Sequence, residues 1–390
     1  MTADSWDLVI VGAGPAGATA ALGALAHRPD ARVLLLDRER FPRDKSCGDG
    51  IAPHVLDVLG PLGAAGVVDG WEPLQHLELS RGDHAVRGRM ARPVWVIPRE
   101  VFDARLVDQA VAAGAELRHH RVRQVRTDDS VVLLDEEIRA RVVVAADGAR
   151  SAVRSALGGD RSGRQALAIR GYAPTPADRA GRQVIRYGEG EVQPSYAWAF
   201  DRGDGLSNVG YGELLGDGRP PSRRWLLDQL EQLIPGTVEH GERWRGHHLP
   251  LSGWGWRREQ PDGPVLYAGD AAGLVNPMTG EGIYYAVATG ALAGRTAVTC
   301  PDDEPANAGA RYRAAVRGVL DQHLRHTSLA ARLTRAPEVV EAGITGAVRD
   351  QRTFDDLVEL GLGDGLLTPR LVVSLGGALL RNRIMPTKGS

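Results

Sequence analysis

The sequence predicts a mixed α/β fold in which a parallel-sheet domain is interleaved with an antiparallel β-sheet and followed by C-terminal helices. Apolar, β-rich runs at 7–11, 142–146 and 265–268 each end at a glycine-containing turn, which is typical of parallel strands buried on both faces. Between about 166 and 249, short alternating segments with Gly/Asp turns indicate an antiparallel sheet. From about 308 onward, apolar residues recur at helical spacing.

Length and charge limit the possible functions. At 390 residues the chain is too long for one simple core, so we expect two domains. Its 47 basic and 49 acidic residues are mixed along the sequence, which argues against a nucleic-acid partner. The first apolar run is too short for a signal peptide, and the late run at 371–380 is about half of the ~20 residues that a bilayer span needs. We therefore expect a cytoplasmic protein, with peripheral membrane contact left open.

Cysteine and histidine usage gives no prediction of a metal site. Cys47 and Cys300 lie far apart, which excludes a disulfide framework and a CxxC metal site. The histidine pairs at 119–120 and 247–248 have no carboxylate partners at metal-ligand spacing. We interpret them as surface or core histidines.

A glycine motif follows the first strand and predicts a dinucleotide site. The run Gly-Ala-Gly-Pro-Ala-Gly precedes an alanine-rich helix, and the second strand, at 32–36, ends in Asp37. Gly12, Gly14 and Gly17 would let the backbone approach a pyrophosphate at the helix N-terminus. The carboxylate of Asp37 can accept a hydrogen bond from a ribose hydroxyl. This motif alone fits NAD or FAD.

Two later motifs decide between these cofactors. The strand at 142–146 leads into Asp147-Gly148 and completes a DGxxSxxR motif, and the strand at 265–268 leads into Gly269-Asp270. The order and spacing of the three motifs resemble the flavoprotein hydroxylase fold, in which FAD lies across a Rossmann-like domain and a second sheet covers the flavin ring. The resemblance implies that the Asp270 carboxylate takes a ribityl hydroxyl.

The loop after Asp270 is the predicted bed of the flavin ring. It contains Pro277 and Gly280, and Gly282 directly precedes an apolar helix at about 283–298. By the same resemblance, amides near Gly282 and Ile283 face the pyrimidine edge of the flavin. A helix N-terminus there would stabilise the negative charge of the reduced cofactor.

The stretch Phe-Pro-Arg-Asp-Lys-Ser-Cys-Gly-Asp-Gly at 41–50 narrows the resemblance to the geranylgeranyl reductase family of FAD-dependent oxidoreductases, whose members saturate prenyl double bonds. Asp49, in place of the commoner glycine, is similar to the branch that includes menaquinone isoprenyl-chain reductases. Arg99 begins an Arg-x-x-Phe-Asp motif whose arginine lies against FAD in the family. The resemblance places Cys47 beside the flavin as the candidate catalytic acid, directly or through a water, and a small apolar filler is the alternative. The predicted cofactor-binding residues are Gly12, Gly14, Ala16, Gly17, Asp37, Arg38, Cys47, Gly48, Arg99, Val122, Asp147, Gly148, Asp270, Pro277, Gly280, Gly282 and Ile283.

An aromatic strand is the candidate substrate wall. Tyr196, Trp198 and Phe200 alternate with alanines, so all three share one face of a strand. The run resembles the family's Tyr-x-Trp-x-Phe-Pro motif, with Asp201 in place of proline. An ordinary core face is the alternative. The tryptophans at 254 and 256 resemble a halogenase motif that fails at its distinctive end, and we expect them to fill a domain boundary or a pocket wall.

The motifs and patterns together define three regions. We expect the C-terminal helices, at 308–333 and 337–360 and in a last segment at 366–380, to pack beside the FAD domain and partly close a substrate tunnel. The predicted regions are an FAD-binding domain (1–75, 95–160 and 263–320), an antiparallel-sheet substrate domain (76–94 and 161–262) and a C-terminal helical region (321–390).

The resulting functional hypothesis is an FAD-dependent reductase that transfers hydride to an alkene of a prenyl or other hydrophobic small molecule. The alternative is an NAD(P)H-using monooxygenase or other oxidative tailoring enzyme of secondary metabolism. Hydroxylases of this fold commonly have histidine at the position of Gly273, which favours reduction. A flavin-binding module without turnover is a third possibility. No second GxGxxG is present, so NAD(P)H would bind transiently or another external reductant would replace it. The oligomeric state is not predicted.

Overall fold

A computed structural model describes residues 4–127, 131–159, 164–190, 193–216, 220–253 and 255–384. It confirms the predicted fold class, with two sheets and a set of C-terminal helices. The strands are β1 (Asp4–Val11), β2 (Val33–Asp37), β3 (Gly50–Ile51), β4 (Leu74–Arg81), β5 (His84–Val96), β6 (Glu116–His119), β7 (Val125–Thr127), β8 (Val132–Leu134), β9 (Ile138–Ala145), β10 (Gln165–Pro174), β11 (Arg182–Tyr187), β12 (Ser195–Asp201), β13 (Leu206–Leu214), β14 (Glu242–Pro250) and β15 (Val265–Tyr267). The helices are α1 (Pro15–His27), α2 (Pro53–Leu59), α3 (Arg99–Ala112), α4 (Ala152–Ala156), α5 (Arg223–Leu233), α6 (Ile283–Thr299), α7 (Ala308–Leu333), α8 (Pro337–Arg349), α9 (Gln351–Leu362) and α10 (Pro369–Ile384).

The first sheet has a parallel centre with the strand order β6-β2-β1-β9-β15. The inner strands are apolar because both faces are covered, and β2 is buried along its whole length. The edge strand β6 is polar and largely exposed. The β7–β8 hairpin pairs with the first half of β9, while β15 pairs with the second half. The carboxyl ends of β1, β9 and β15 meet at one edge, which brings the three glycine loops together.

The second sheet has the order β14-β10-β13-β12-β11-β4-β5-β3. Its pairs are antiparallel except β4 with β11, which run parallel in the register Arg182↔His76. The parallel pair arises because two separate stretches of chain build the sheet: the β4–β5 hairpin enters from within the first domain, and β10–β14 form later. On β12, Ala197 and Ala199 pack against α5, and the three aromatic residues lie on the other face, as predicted.

The C-terminal helices pack on both sheets. Helix α7 has its predicted bounds, covers the parallel sheet and spans the predicted division at 320. The sequence predicted a single helix at 337–360, and this prediction is wrong because the helix is interrupted at Asp350. The Asp350 carboxylate accepts hydrogen bonds from the amides of Arg352 and Thr353, both at 3.2 Å, and so caps the start of α9. Helices α8 and α9 pack on β4 and β5, and the end of α9 also contacts the FAD domain, since Glu359 bonds to His54 and the Gly361 carbonyl oxygen accepts from Thr279 Oγ1, both at 2.8 Å. Within the described ranges, every helix is too short or too polar to cross a bilayer. Residues 385–390 of the predicted C-terminal region lie outside those ranges.

Candidate functional site

One large cavity lies between the two sheets. Its volume is about 1080 Å³, at the upper end of the range of roughly 300–1,000 Å³ that is common for small-molecule sites. The glycine loops of the parallel sheet form one wall, and β11 and β12 of the second sheet form the opposite wall. An elongated ligand can therefore contact both sheets at once.

The structure brings almost every predicted site residue to this cavity. The exception is Gly17, which lies beneath the loop: a Cβ atom there would be 1.8 Å from the Gly12 carbonyl oxygen. Gly17 therefore permits tight packing of α1 beneath the loop and does not itself line the cavity. The predicted residues that line the cavity are Gly12, Gly14, Ala16, Asp37, Arg38, Cys47, Gly48, Arg99, Val122, Asp147, Gly148, Tyr196, Trp198, Phe200, Asp270, Pro277, Gly280, Gly282 and Ile283.

The loop after β1 has the conformation that only glycine tolerates. Gly12 has a φ of 99°, and a Cβ atom there would lie 2.4 Å from the Ala146 carbonyl oxygen. The Asp37 carboxylate holds the loop by accepting a hydrogen bond of 2.8 Å from the amide of Ala13. Asp37 thus has a structural role in the loop in addition to its predicted role at a ribose.

The DGxxSxxR motif forms the start of α4 and joins two loops. The Asp147 carboxylate accepts from the amide of Ala152 at 2.6 Å through one oxygen, while Oδ1 is buried and has no partner among the described residues. The Arg154 guanidinium donates to the Ala271 carbonyl oxygen at 3.3 Å, which connects this motif to the Gly269-Asp270 turn. The buried free acceptor and the two glycine loops fit a ligand with hydroxyl and phosphate groups, such as FAD.

Asp270 has a cationic partner that the motif did not predict. Lys45 Nζ lies 3.1 Å from Asp270 Oδ2, and its charge helps to hold the Asp270 pKa below the ordinary value although burial acts to raise it. His247 lies nearby and its Nε2 has no partner in the described part of the chain. Burial lowers the His247 pKa to about 4, so this ring is neutral at pH 7. The cavity therefore holds a charged pair beside a neutral imidazole.

The histidine pairs are more involved in the site than the sequence indicated. His120, His247 and His248 line the cavity, contrary to the expectation of ordinary surface or core positions. No local pattern indicated this, because His247 and His248 reach the cavity through the pairing of β14 with β10, and His120 through its place directly after β6. Trp256 is buried in the first core and donates to Asp321 on α7 at 3.3 Å, whereas Trp254 lies outside the described residues.

Glu281 occupies the predicted anion site at the start of α6. Its Oε1 accepts from the amide of Tyr284 at 2.9 Å, and the Ile283 amide also approaches the carboxylate. Burial raises the Glu281 pKa to about 7 despite these hydrogen bonds. Glu281 lines the cavity, and a large fraction of its carboxyl groups therefore carries a proton at neutral pH. No sequence motif pointed to this residue.

Two arginines lie side by side at the end of the cavity next to the Gly14 loop. Arg99 is buried and forms a bidentate pair with Asp103 at 2.6 and 2.8 Å. Arg43 contacts the same carboxylate at 3.1 Å, and a side chain at Gly14 would meet its guanidinium at 3.3 Å. The Asp103 carboxylate neutralises part of the positive charge of the two arginines and holds both guanidinium groups in place. The remaining positive charge faces the glycine loop.

We expect Arg43→Ala to raise the FAD dissociation constant by about ten- to a hundredfold, since a charge-assisted contact is lost. Titration of the FAD-free protein with FAD, followed by flavin fluorescence, measures this constant. Arg40→Ala is the matched control, because Arg40 is exposed and does not line the cavity. Equal dissociation constants for Arg43→Ala and the wild type would contradict the assignment.

Cys47 lies next to the aromatic wall. A Cβ atom at Gly48 would be 3.5 Å from the Phe200 ring and 3.8 Å from Trp198 Nε1. The Cys47 carbonyl oxygen accepts from Asn208 Nδ2 at 2.8 Å, and Asn208 Oδ1 accepts from Trp198 Nε1 at the same distance. Asn208 therefore fixes the cysteine loop against the tryptophan. Burial raises the pKa of the Cys47 thiol, although the Arg99 charge acts in the opposite direction.

Asp49 is a buried carboxylate in a strained position. Its φ is 60°, a conformation that favours glycine. Asp49 Oδ2 accepts from Tyr172 Oη at 2.6 Å and from Asn208 Nδ2 at 2.8 Å, while Oδ1 has no partner among the described residues. Burial raises the Asp49 pKa to about 6, and the hydrogen bond from Tyr172 opposes the shift.

We expect Asp49→Asn to stabilise the fold increasingly as the pH rises from about 4 to 7. The carboxyl pKa is higher in the folded state, so its contribution to stability is present below pH 4 and is lost as the pH passes 6. At pH 7 the gain in unfolding free energy should reach about 2–3 kcal/mol, because an asparagine keeps an acceptor for Tyr172 and tolerates a positive φ. Urea unfolding at several pH values measures it.

The control for this experiment is Asp57→Asn, for which the opposite sign is expected. Hydrogen bonds from Arg92 hold the Asp57 pKa below its ordinary value, so the wild-type carboxylate is the more stabilising form above pH 4. If the difference in unfolding free energy between Asp49→Asn and the wild type did not change with pH, the pKa of the Asp49 carboxyl would not be raised in the folded protein.

Known proteins are similar to this chain in sequence and in fold. Residues 5–190 match the FAD binding domain model. The chain is 34% identical to a menaquinone reductase of Mycolicibacterium smegmatis over 313 residues, which cover 74% of this chain and 75% of that protein. It is 32% identical to digeranylgeranylglycerophospholipid reductase 1 of Methanopyrus kandleri, with 78% and 83% covered.

A solved structure extends the likeness to nearly the whole chain. A geranylgeranyl bacteriochlorophyll reductase-like protein of Thermoplasma acidophilum superposes with a TM-score of 0.77 over 98% of this chain and 99% of that one, at 16% identity. FAD-dependent monooxygenases and halogenases share the fold as well. The fold therefore does not separate reduction from hydroxylation.

Proposed function

Because the chain belongs to the geranylgeranyl reductase family of FAD-dependent oxidoreductases, we propose that it saturates an alkene in a prenyl or other hydrophobic chain. The observation that carries this proposal is the position of Cys47 in one cavity with the dinucleotide loops and the aromatic wall. When bound and reduced, FAD supplies the hydride, and a proton completes the addition, so the substrate gains two hydrogens and the flavin is reoxidised. The reductant that restores the flavin is NAD(P)H or another external donor.

The residues of this chain hold the cofactor at the carboxyl ends of the parallel strands. Gly12 and Gly14 leave room for the pyrophosphate beside Arg43 and Arg99. Asp270, which forms an ion pair with Lys45, would accept a hydrogen bond from a ribityl hydroxyl of bound FAD. A cofactor held in this way would have its flavin ring toward the start of α6 and the aromatic wall, which line the same cavity.

The proton donor must carry a proton at neutral pH and lie close to the alkene, because an unactivated double bond is a poor hydride acceptor and needs a positioned acid. The Cys47 thiol meets the first condition, since burial raises its pKa and keeps the thiol protonated at pH 7. The Glu281 carboxyl also lines the cavity, and its charge influences the Cys47 pKa. We assign proton donation to Cys47, and Glu281 is the competing candidate.

The aromatic wall binds the substrate chain. Tyr196 and Trp198 have ring centroids 5.9 Å apart, and Trp198 and Phe200 6.4 Å apart, so the three rings form a continuous apolar surface. Their faces also stabilise positive charge that develops on a protonated alkene. The hydrogen bond from Trp198 to Asn208 keeps the central ring in one orientation.

Product analysis tests this function. The holoenzyme is reduced with dithionite, mixed anaerobically with geranylgeraniol in D2O, and the product is examined by mass spectrometry. We expect addition of two hydrogen atoms across one or more double bonds, with at least one deuterium per bond because the proton comes from an exchangeable group. A product that carries an added oxygen when air is admitted, with no saturated product, would instead support the hydroxylase.

A further inference from the structure

The outer face of α10 is an exposed apolar stripe. Pro369, Val372, Val373, Gly376 and Leu380 recur at helical spacing on this face. Val372, Val373 and Leu380 are 55%, 75% and 65% exposed, which is unusual for aliphatic side chains that share one helix face. We call these five residues the α10 stripe.

The opposite face of α10 anchors the helix to the rest of the protein. Leu371 is fully buried and packs with Leu360 of α9, and Leu375 and Met278 border the same cluster. Met278 also lines the cavity. The stripe therefore lies on a firmly packed helix whose inner face adjoins the wall of the candidate substrate site.

A neighbouring part of α7 extends the exposed apolar surface. The amide of Leu367, just before α10, donates to His326 Nδ1 on α7 at 3.0 Å, and Ala330 packs with Leu371. On the same turns of α7, Leu329 and Leu333 are 42% and 45% exposed. The apolar surface thus involves two adjacent helices.

The charge of this surface is positive. From residue 365 to 381, the sequence contains Arg370 and Arg381 and no acidic residue. From residue 322 to 337 it again contains basic residues and no acidic one. Some of these cations are paired, as Arg370 is with Asp356. Burial lowers the pKa of Arg164, and the nearby charges of Arg335 and Arg332 lower it further. Positive charge therefore accumulates beside the stripe.

We propose that the α10 stripe, with Leu329 and Leu333, docks on the surface of an anionic lipid bilayer. An amphipathic helix with aliphatic residues on one face and arginines at its margin binds at the headgroup boundary through both apolar burial and charge attraction. A second copy of the chain is a poorer occupant, because two identical basic surfaces would repel each other. This docking is independent of the proposed reaction.

Vesicle flotation with the FAD-loaded full chain tests the proposal. We expect binding to vesicles of phosphatidylglycerol and phosphatidylcholine, weaker binding to phosphatidylcholine alone, and about a tenfold or greater loss of binding for Val373→Glu. Arg381→Ala should weaken binding to the anionic vesicles about fivefold. The control is Val319→Glu, since Val319 is also on α7 and 49% exposed but lies about 15 Å along the helix before Leu329.

Flavin absorbance and circular dichroism establish that each variant is folded. Equal vesicle binding by Val373→Glu and the wild type, or no preference for anionic lipid, would overturn the proposal. Sedimentation equilibrium that shows a dimer dissociated by Val373→Glu would assign the stripe to a second copy and overturn it as well.

Discussion

Gly294→Ala should produce a protein that is severely destabilised and retains little FAD. Helices α1 and α6 cross so closely that a Cβ atom at Gly294 would lie 1.8 Å from the Ala20 carbonyl oxygen. Gly290 makes the same kind of contact, 2.2 Å from the Ala16 carbonyl oxygen. Backbone must move to accept the methyl group, so we expect a loss of about 3 kcal/mol or more. Because α1 begins at the glycine loop and α6 at the flavin loop, the displacement also disturbs the cofactor site.

Gly318→Ala is the matched control for this prediction. Gly318 also lies inside a helix, α7, but a Cβ atom there meets nothing within 4 Å. Helix propensity alone should make this change neutral or stabilising by up to about 1 kcal/mol. Thermal unfolding and the FAD-to-protein ratio after purification measure both variants. If Gly294→Ala were as stable as Gly318→Ala, the close packing of α1 and α6 would be refuted.

Cys47→Ala should slow alkene-dependent reoxidation of the reduced enzyme by about a hundredfold or more, because the positioned proton donor is removed. FAD binding should change little, and the flavin spectrum checks this. Anaerobic stopped-flow mixing of chemically reduced enzyme with geranylgeraniol gives the rate.

Two further variants make the result specific. Cys300→Ala should leave the rate unchanged, since Cys300 is buried at the end of α6, where its thiol donates to the Glu304 carbonyl oxygen at 3.2 Å. Glu281→Gln separates the competing proton donor. An unchanged rate in Cys47→Ala with a collapsed rate in Glu281→Gln would transfer the role of the acid to Glu281.

The parts of the site that the sequence predicted are those encoded over short distances. The Gly12 loop needs a positive φ that glycine supplies, and the strand before it and helix after it are read from local patterns. The common face of Tyr196, Trp198 and Phe200 follows from the period of a strand. These features depend on neighbouring residues and are therefore visible before any fold is known.

The parts that the sequence did not predict depend on contacts between distant segments. Lys45 and Asp270 are 225 residues apart in the sequence, and Asn208 on β13 reaches the Cys47 loop only when the second sheet lies over the first. The raised pKa of Glu281 has the same origin, since burial by both sheets causes it. The break between α8 and α9 has a local cause that the prediction overlooked. Asp350 is a good N-cap residue, but the apolar residues recur at helical spacing on both sides of it.

Reoxidation of the reduced flavin by an alkene without oxygen, compared with reoxidation by oxygen, tests the central claim most directly. The reduced holoenzyme is mixed with geranylgeraniol in one experiment, and with oxygen plus an aromatic acceptor in another. We predict rapid return of the oxidised flavin spectrum with the alkene, together with a product that has gained two hydrogens. Reoxidation that requires oxygen and yields a product with an added oxygen atom would contradict the assignment of this protein as an alkene reductase.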